Sequence, residues 1–231
     1  MPKYDRSLYM REFMKEKRNT EKRIKYLLEE CNIVGRGNCV HLDLDIQKIF
    51  EVSEDVRSDI LIGGDYIYLG VKSAIDYYIS TVGNKKKLDL IVSIDGAPMY
   101  NSKKTSIWPI LVTINRKGSY AVAIWHGQGK PNNLDEYFKD FILEIKKLQT
   151  NGYKQLLVTI KAFVCDAPAR AYVKCIIGHS GYHSCERCMA VGTQKHGVRL
   201  LETTTVLCTD MAFKNNFYKE GHQLESLSPL V

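Results

Sequence analysis

Apolar and polar positions change period several times along this chain, and each change predicts an element. Leu88, Leu90, Val92 and Ile94 alternate with Asp89, Ile91, Ser93 and Asp95, a period of two that predicts a strand over about 88–95. Gly96 and Pro98 stop it. Ser106 to Ile114 is apolar on both faces, through Trp108, Ile110, Leu111, Val112 and Ile114, and predicts a buried strand. Arg116-Lys117-Gly118-Ser119 is a hairpin turn signal, so the strand over Tyr120 to Trp125 should run back antiparallel. From residue 134 the period lengthens. Leu134, Tyr137, Phe138, Phe141, Ile142, Ile145 and Leu148 form a helical stripe, with Asn133 as its cap, Glu136 three residues on and Asn151-Gly152 at its end. A fourth strand runs to Val164, and Pro168 opens a helix from Ala167 to about Ile176.

The N-terminal third is less regular. Residues 3–31 read as a helix whose apolar positions cluster at its two ends, leaving 15–23 without any. That stretch reads first as a solvated helix held by pairs such as Glu21 and Lys25, and alternatively as a basic arm along DNA phosphates. Residues 32–38 read as a loop. Residues 39–52 and 71–82 have short helix-like spacing, separated by the turn-rich Leu61-Ile62-Gly63-Gly64-Asp65. Gly83-Asn84-Lys85-Lys86-Lys87 is a polar hinge. The expected division is a helical region with a basic arm over 1–85, a core over 86–178 and a third part over 179–231.

The core order is β-β-β-α-β-α, that of the ribonuclease H-like fold, an α/β (α+β) class. In that fold the first and fourth strands pair, so acids at their ends are neighbours. Asp95 and Asp166 hold those two positions. Two carboxylates brought together repel unless a cation is shared between them. Hard oxygen ligands select Mg²⁺ or Mn²⁺, which in pairs about 3.5–4 Å apart promote phosphodiester cleavage. Each acid also has a plain structural reading: Asp95 before Gly96 as a turn residue, Asp166 before Ala167-Pro168 as a helix cap.

Composition narrows the partners. The net charge of +7 suits a polyanion such as DNA but equally serves solubility. No run approaches the roughly 20 apolar residues of a membrane span, and no secretory leader follows Met1, so an intracellular protein, nuclear or cytoplasmic, is expected. The seven cysteines then read as reduced thiols. Cys185 and Cys188 have the C-x₂-C spacing of a zinc knuckle, with His179 and His183 upstream and His196 and His222 downstream, and a structural Zn²⁺ is expected over unliganded thiols.

Several segments carry a resemblance. Ser93-Ile94-Asp95-Gly96-Ala97-Pro98, Trp108-Pro109-Ile110-Leu111, Gly127-Gln128-Gly129-Lys130-Pro131, Ala162 through Ala171 with its Cys-Asp-Ala-Pro-Ala-Arg block, and Gly178 through Cys188 resemble transposase-domain proteins of cut-and-paste DNA transposons, related to CACTA elements. The resemblance covers about residues 88–190. It implies an Asp-Asp-Glu metal centre for DNA strand cleavage and transfer, with Asp95 and Asp166 as the first two acids, catalytic and metal-holding. It further implies a zinc-bearing insertion opened by Cys185 and Cys188, with His222 as the preferred downstream ligand and His179 as the upstream one. DNA is the implied partner, with self-association allowed and no membrane. The third acid would lie beyond this insertion, so the core is expected to be incomplete, the first half of such a protein, and inactive or fragmentary. The rival expectation is a non-catalytic zinc-containing DNA-binding or interaction module. A more distant one is a cysteine nucleophile, Cys165, served by His126.

Overall fold

Two short strands that the polar pattern does not mark open the described chain. The computed structural model describes residues 57–61, 64–83, 86–98, 105–194, 196–202, 205–218 and 221–231. The helices expected over 3–31 and 39–52, with the basic arm and the loop at 32–38, lie outside the described residues. The described part is a mixed α/β fold. In chain order its elements are β1 (Arg57–Leu61), β2 (Gly64–Tyr68), α1 (Val71–Val82), β3 (Lys87–Ile94), β4 (Ala97–Pro98), β5 (Thr105–Ile114), β6 (Lys117–Gln128), α2 (Leu134–Asn151), β7 (Leu157–Val164), α3 (Ala167–Lys174), β8 (Thr193–Gln194), β9 (Val198–Arg199) and α4 (Asp210–Lys214).

β1 and β2 pair antiparallel where the sequence reads as a turn-rich separator, and β2 continues the sheet onto β6. Gly64 explains why the separator is glycine-rich. A Cβ there would come within 2.5 Å of the Trp125 ring and the His126 carbonyl, so the two strands approach only over a bare backbone.

The main sheet among the described residues runs β1-β2-β6-β5-β3-β7, with β4 pairing off β5. Every pairing is antiparallel except β3 with β7, which is parallel. The predicted alternation of β3 holds: Leu88, Leu90, Val92 and Ile94 are fully buried, while Ser93 and Ile91 are half-buried. A slip of one residue would turn all four outward, at about 1.5–3 kcal/mol per side chain, so the hydrophobic pattern fixes the register. β5 and β6 turn at Asn115 and Arg116, both at positive φ (49° and 59°), the two-residue turn whose twist suits a hairpin. Asn115 also ties this turn to β3: its Oδ1 accepts the Asp89 N–H at 2.9 Å.

α1 and α2 pack together against the buried face of the sheet, through Val71, Ile75 and Tyr78 of one and Tyr137, Phe138, Phe141, Ile145 and Leu148 of the other. α2 is capped as its sequence predicts, the Asn133 Oδ1 accepting the Glu136 N–H at 3.1 Å. α1 begins after Gly70 with no cap of its own. Glu144 of α2 supplies one: its carboxylate accepts the N–H groups of Val71 (2.6 Å) and Lys72 (3.2 Å) and the hydroxyl of Tyr68 (2.5 Å). Burial, then the Glu144 charge, pushes the Tyr68 phenol far above its usual range, so it stays a donor. This contact joins the β2–α1 region to the core across the expected hinge.

Candidate active site and thiol cluster

Asp95 and Asp166 reach one end of the sheet by the same count. The last registered pair between β3 and β7 is Ser93 with Val164, and each acid stands two residues beyond its member of that pair. Because the strands are parallel and adjacent, both carboxyl ends point the same way. Asp95 lies within electrostatic reach of Asp166. Desolvation first, and then the negative charge of Asp166, raises the Asp95 carboxyl above its ordinary value, against the N–H of Gly96, which lowers it.

The aspartates are held differently. Asp166 caps α3: its Oδ1 accepts the Ala169 N–H at 2.7 Å and its carbonyl accepts the Arg170 N–H at 2.8 Å. Pro168 in the first turn gives up no bond, since its missing N–H would have had no helical partner. The structural reading of Asp166 as a cap is therefore correct, and it leaves the second carboxylate oxygen for other work. Asp95 is exposed and followed by Gly96, over which the Trp108 ring lies. A Cβ on Gly96 would sit 2.5 Å from that ring.

Trp108 is the brace between the two strand ends. Its ring meets Tyr172 of α3 edge-on at 5.0 Å, its Nε1 donates to the Gly129 carbonyl at 3.0 Å, and its own carbonyl accepts from the Tyr137 hydroxyl at 3.1 Å. Tyr172 in turn donates to the Pro131 carbonyl and stacks under the Lys130 ammonium, 4.5 Å from the ring centre. The Gly-Lys-Pro loop is thus a support for α3, and its lysine faces an aromatic ring.

Cys165, which precedes Asp166 and lies within electrostatic reach of both acids, is no activated nucleophile. Burial pushes its thiol up, only partly offset by the Ile94 backbone and the Arg170 charge. His126 belongs to β6, separated from β7 by β5 and β3, a span of about 14 Å at ordinary strand spacing. The Cys165–His126 pairing weighed from the sequence is set aside.

Beyond α3 the chain folds back as a knuckle. The Cys185 and Cys188 sulfurs lie 3.2 Å apart as free thiols. Arg187 and Met189 hydrogen-bond to the segment opposite, through Cys208 N–H to the Arg187 carbonyl (2.8 Å) and Met189 N–H to the Val206 carbonyl (2.9 Å). This brings Cys208 beside the pair. Cys208 had no spacing signal, being a lone cysteine twenty residues on, and only the backbone pairing reveals it. The Cys188 thiol is held below its ordinary value by the Thr205 side chain, then by the Ala190 N–H and Cys185.

His222 is 5% exposed, and neither ring nitrogen has a hydrogen-bond partner. Its ring meets that of His183 edge-on at 5.0 Å. Cys185, Cys208 and His222 face one cavity of about 360 Å³, together with Cys165, Glu186 and Tyr218. His179 is exposed and not on that wall. Two orphaned nitrogens on a buried imidazole, beside soft thiols, are the donor chemistry Zn²⁺ takes. As the side chains stand, no three His, Cys, Asp or Glu groups among the described residues are gathered closely enough to share an ion. The same holds for the acids: no third carboxylate among the described residues joins Asp95 and Asp166 at the sheet end.

Compared with family models, with curated proteins and with solved structures, the chain finds no match in any of the three. Among the described residues no helix is long and apolar enough to cross a membrane.

Proposed function

We propose that this chain is a transposase-type protein with a ribonuclease H-like core, in which Asp95 and Asp166 hold Mg²⁺ or Mn²⁺ against a DNA backbone. One observation carries the reading: the parallel pairing of β3 with β7 puts two acids at matched strand ends, where the charge of Asp166 helps raise the Asp95 carboxyl. Uncompensated carboxylate pairs are what a hard divalent cation relieves. When bound, such an ion supplies charge stabilisation and an activated water for phosphodiester cleavage. The protein's own part is orientation. The Ala169 N–H fixes one oxygen of Asp166, and Trp108 holds Gly96, and with it Asp95, against α3. The excess of 33 basic over 26 acidic residues favours the polyanionic substrate. Among the described residues no third acid joins the pair, and two acids alone bind a metal weakly, so weak cleavage is expected of them. Zn²⁺ would be held by Cys185, Cys188 and His222, with Cys208 better placed than His179 as a further ligand.

A second reading keeps the zinc and drops the catalysis, making the chain a DNA-binding or interaction module. It draws on the Asp166 cap, which accounts for that residue without any metal. Single-turnover nicking of duplex DNA with Mn²⁺ separates the two. Cleavage that disappears in Asp95→Ala and in Asp166→Asn supports the proposal. DNA binding with no Mn²⁺-dependent cleavage, unchanged by Asp95→Ala, supports the second reading instead.

A further inference from the structure

One contact joins the thiol knuckle to the acid site. Asp166, Arg170 and Lys174 are four residues apart in turn, so the cap of α3 and its two basic side chains share one face of the helix. Glu186, between the paired cysteines, meets both bases: the Arg170 Nε donates to its Oε1 at 2.5 Å and the Lys174 Nζ to its Oε2 at 2.9 Å. Arg170 is anchored again by an Nη1 bond to the Cys165 carbonyl at 3.3 Å, the residue just before Asp166. Glu186 is the more buried partner, its side chain 25% exposed against 43% and 48% for Arg170 and Lys174.

α3 is only eight residues long. A helix of about two turns has little stability of its own and takes its position from what it touches. On one side α3 touches Trp108 through Tyr172; on the other it is held by Glu186. We infer that Glu186 is a positioning residue for the acid pair: it clamps α3 from the thiol knuckle, and so sets where Asp166 stands relative to Asp95. Resting on the metal-site reading above, it assigns that site a support in a separate segment of the chain. The consequence is that the knuckle's integrity and metal binding at the acids are coupled through one carboxylate.

The test uses the full chain with Glu186→Gln, with Arg170→Gln at the far end of the contact, and with the charge-swapped pair Glu186→Arg and Arg170→Glu together. Arg170→Gln leaves the cysteine loop untouched and guards against a loop that merely misfolds. Two quantities are read: amide exchange at Ala169, the bond that fixes Asp166, and the affinity for Mn²⁺. The expected result is exchange at Ala169 at least tenfold faster in both single variants, with α2 amides unchanged, Mn²⁺ affinity down at least fivefold, and substantial recovery of both in the swapped pair. Unchanged exchange at Ala169 in both single variants overturns the inference. The exchange readout needs no metal, so it decides the role of Glu186 even if wild-type protein binds no Mn²⁺ at Asp95, an outcome that would count against the proposed function alone.

Discussion

Replacing Asp95 by Asn removes one charge from the acid pair without altering its shape, and the account predicts that the metal-free protein becomes more stable. Adjacent strands lie about 4.8 Å apart, so side chains at matched ends place their carboxylates on the order of 5–7 Å from each other. At an effective dielectric between about 40 and 80 the repulsion is roughly 0.6–1.7 kcal/mol. Asp95 is exposed, and solvent and salt screen it, so the lower part of that range, about 0.6–1 kcal/mol, is expected. The pH dependence has a definite sign. The Asp95 carboxyl is raised in the folded state, so it binds its proton more tightly folded than unfolded. Wild-type stability therefore falls as pH rises from the ordinary carboxylate range through the raised value, and stays lower above it. Asp95→Asn should lack that fall. In urea titrations with EDTA, taking a slope of about 2 kcal/mol/M, the variant's midpoint should exceed wild type by about 0.3–0.5 M at pH 7 and match it near pH 3. Millimolar Mn²⁺ should then stabilise wild type and leave the variant unmoved. A variant no more stable than wild type at pH 7, or equally stabilised by Mn²⁺, would refute the reasoning that these acids repel over a shared cation position.

Three further outcomes follow from the packing. Gly96→Ala drives a methyl into the Trp108 ring and should cost about 1–3 kcal/mol, with a shift in tryptophan emission as the ring moves; an unchanged melt and spectrum would show that Trp108 does not rest on Gly96. Glu144→Ala leaves the first N–H groups of α1 and the Tyr68 hydroxyl without their acceptor, and should lower stability by about 1–3 kcal/mol with faster amide exchange at Val71 and Lys72. Purified protein should carry zinc by elemental analysis. Chelation should expose the Cys185 and Cys188 thiols and speed exchange at Met189 and Cys208 while α2 stays protected; zinc-free protein with those amides equally protected would set the zinc reading aside.

The sequence made the middle of the chain legible because its elements are long and periodic. The alternating face of β3 and the stripe and cap of α2 each match one period, and the two-sided apolar run of β5 is marked as a strand by its β-branched residues and the hairpin turn that follows it. The acids were legible as strand-end residues, and the parallel pairing of β3 with β7 expected from the order of elements is found. What escaped has no period. β1 and β2 are five residues each around Gly63-Gly64, and glycine there signals close strand approach as readily as a loop. Glu186 drew no role from the sequence, because its ion pairs reach back twelve and sixteen residues to a helix face. Cys208 and the buried, unpartnered ring of His222 depend on how the knuckle folds back, which local pattern does not encode.

Binding of Mn²⁺ to the full chain, followed by electron paramagnetic resonance, tests the pairing of the acids most directly. Asp166→Asn is the sharpest variant, because Asn caps a helix as well as Asp does and so removes the charge while keeping α3 in place. The account predicts a site in wild type whose affinity falls at least tenfold in Asp95→Asn and equally in Asp166→Asn. Mn²⁺ binding of wild-type strength in both variants would contradict it.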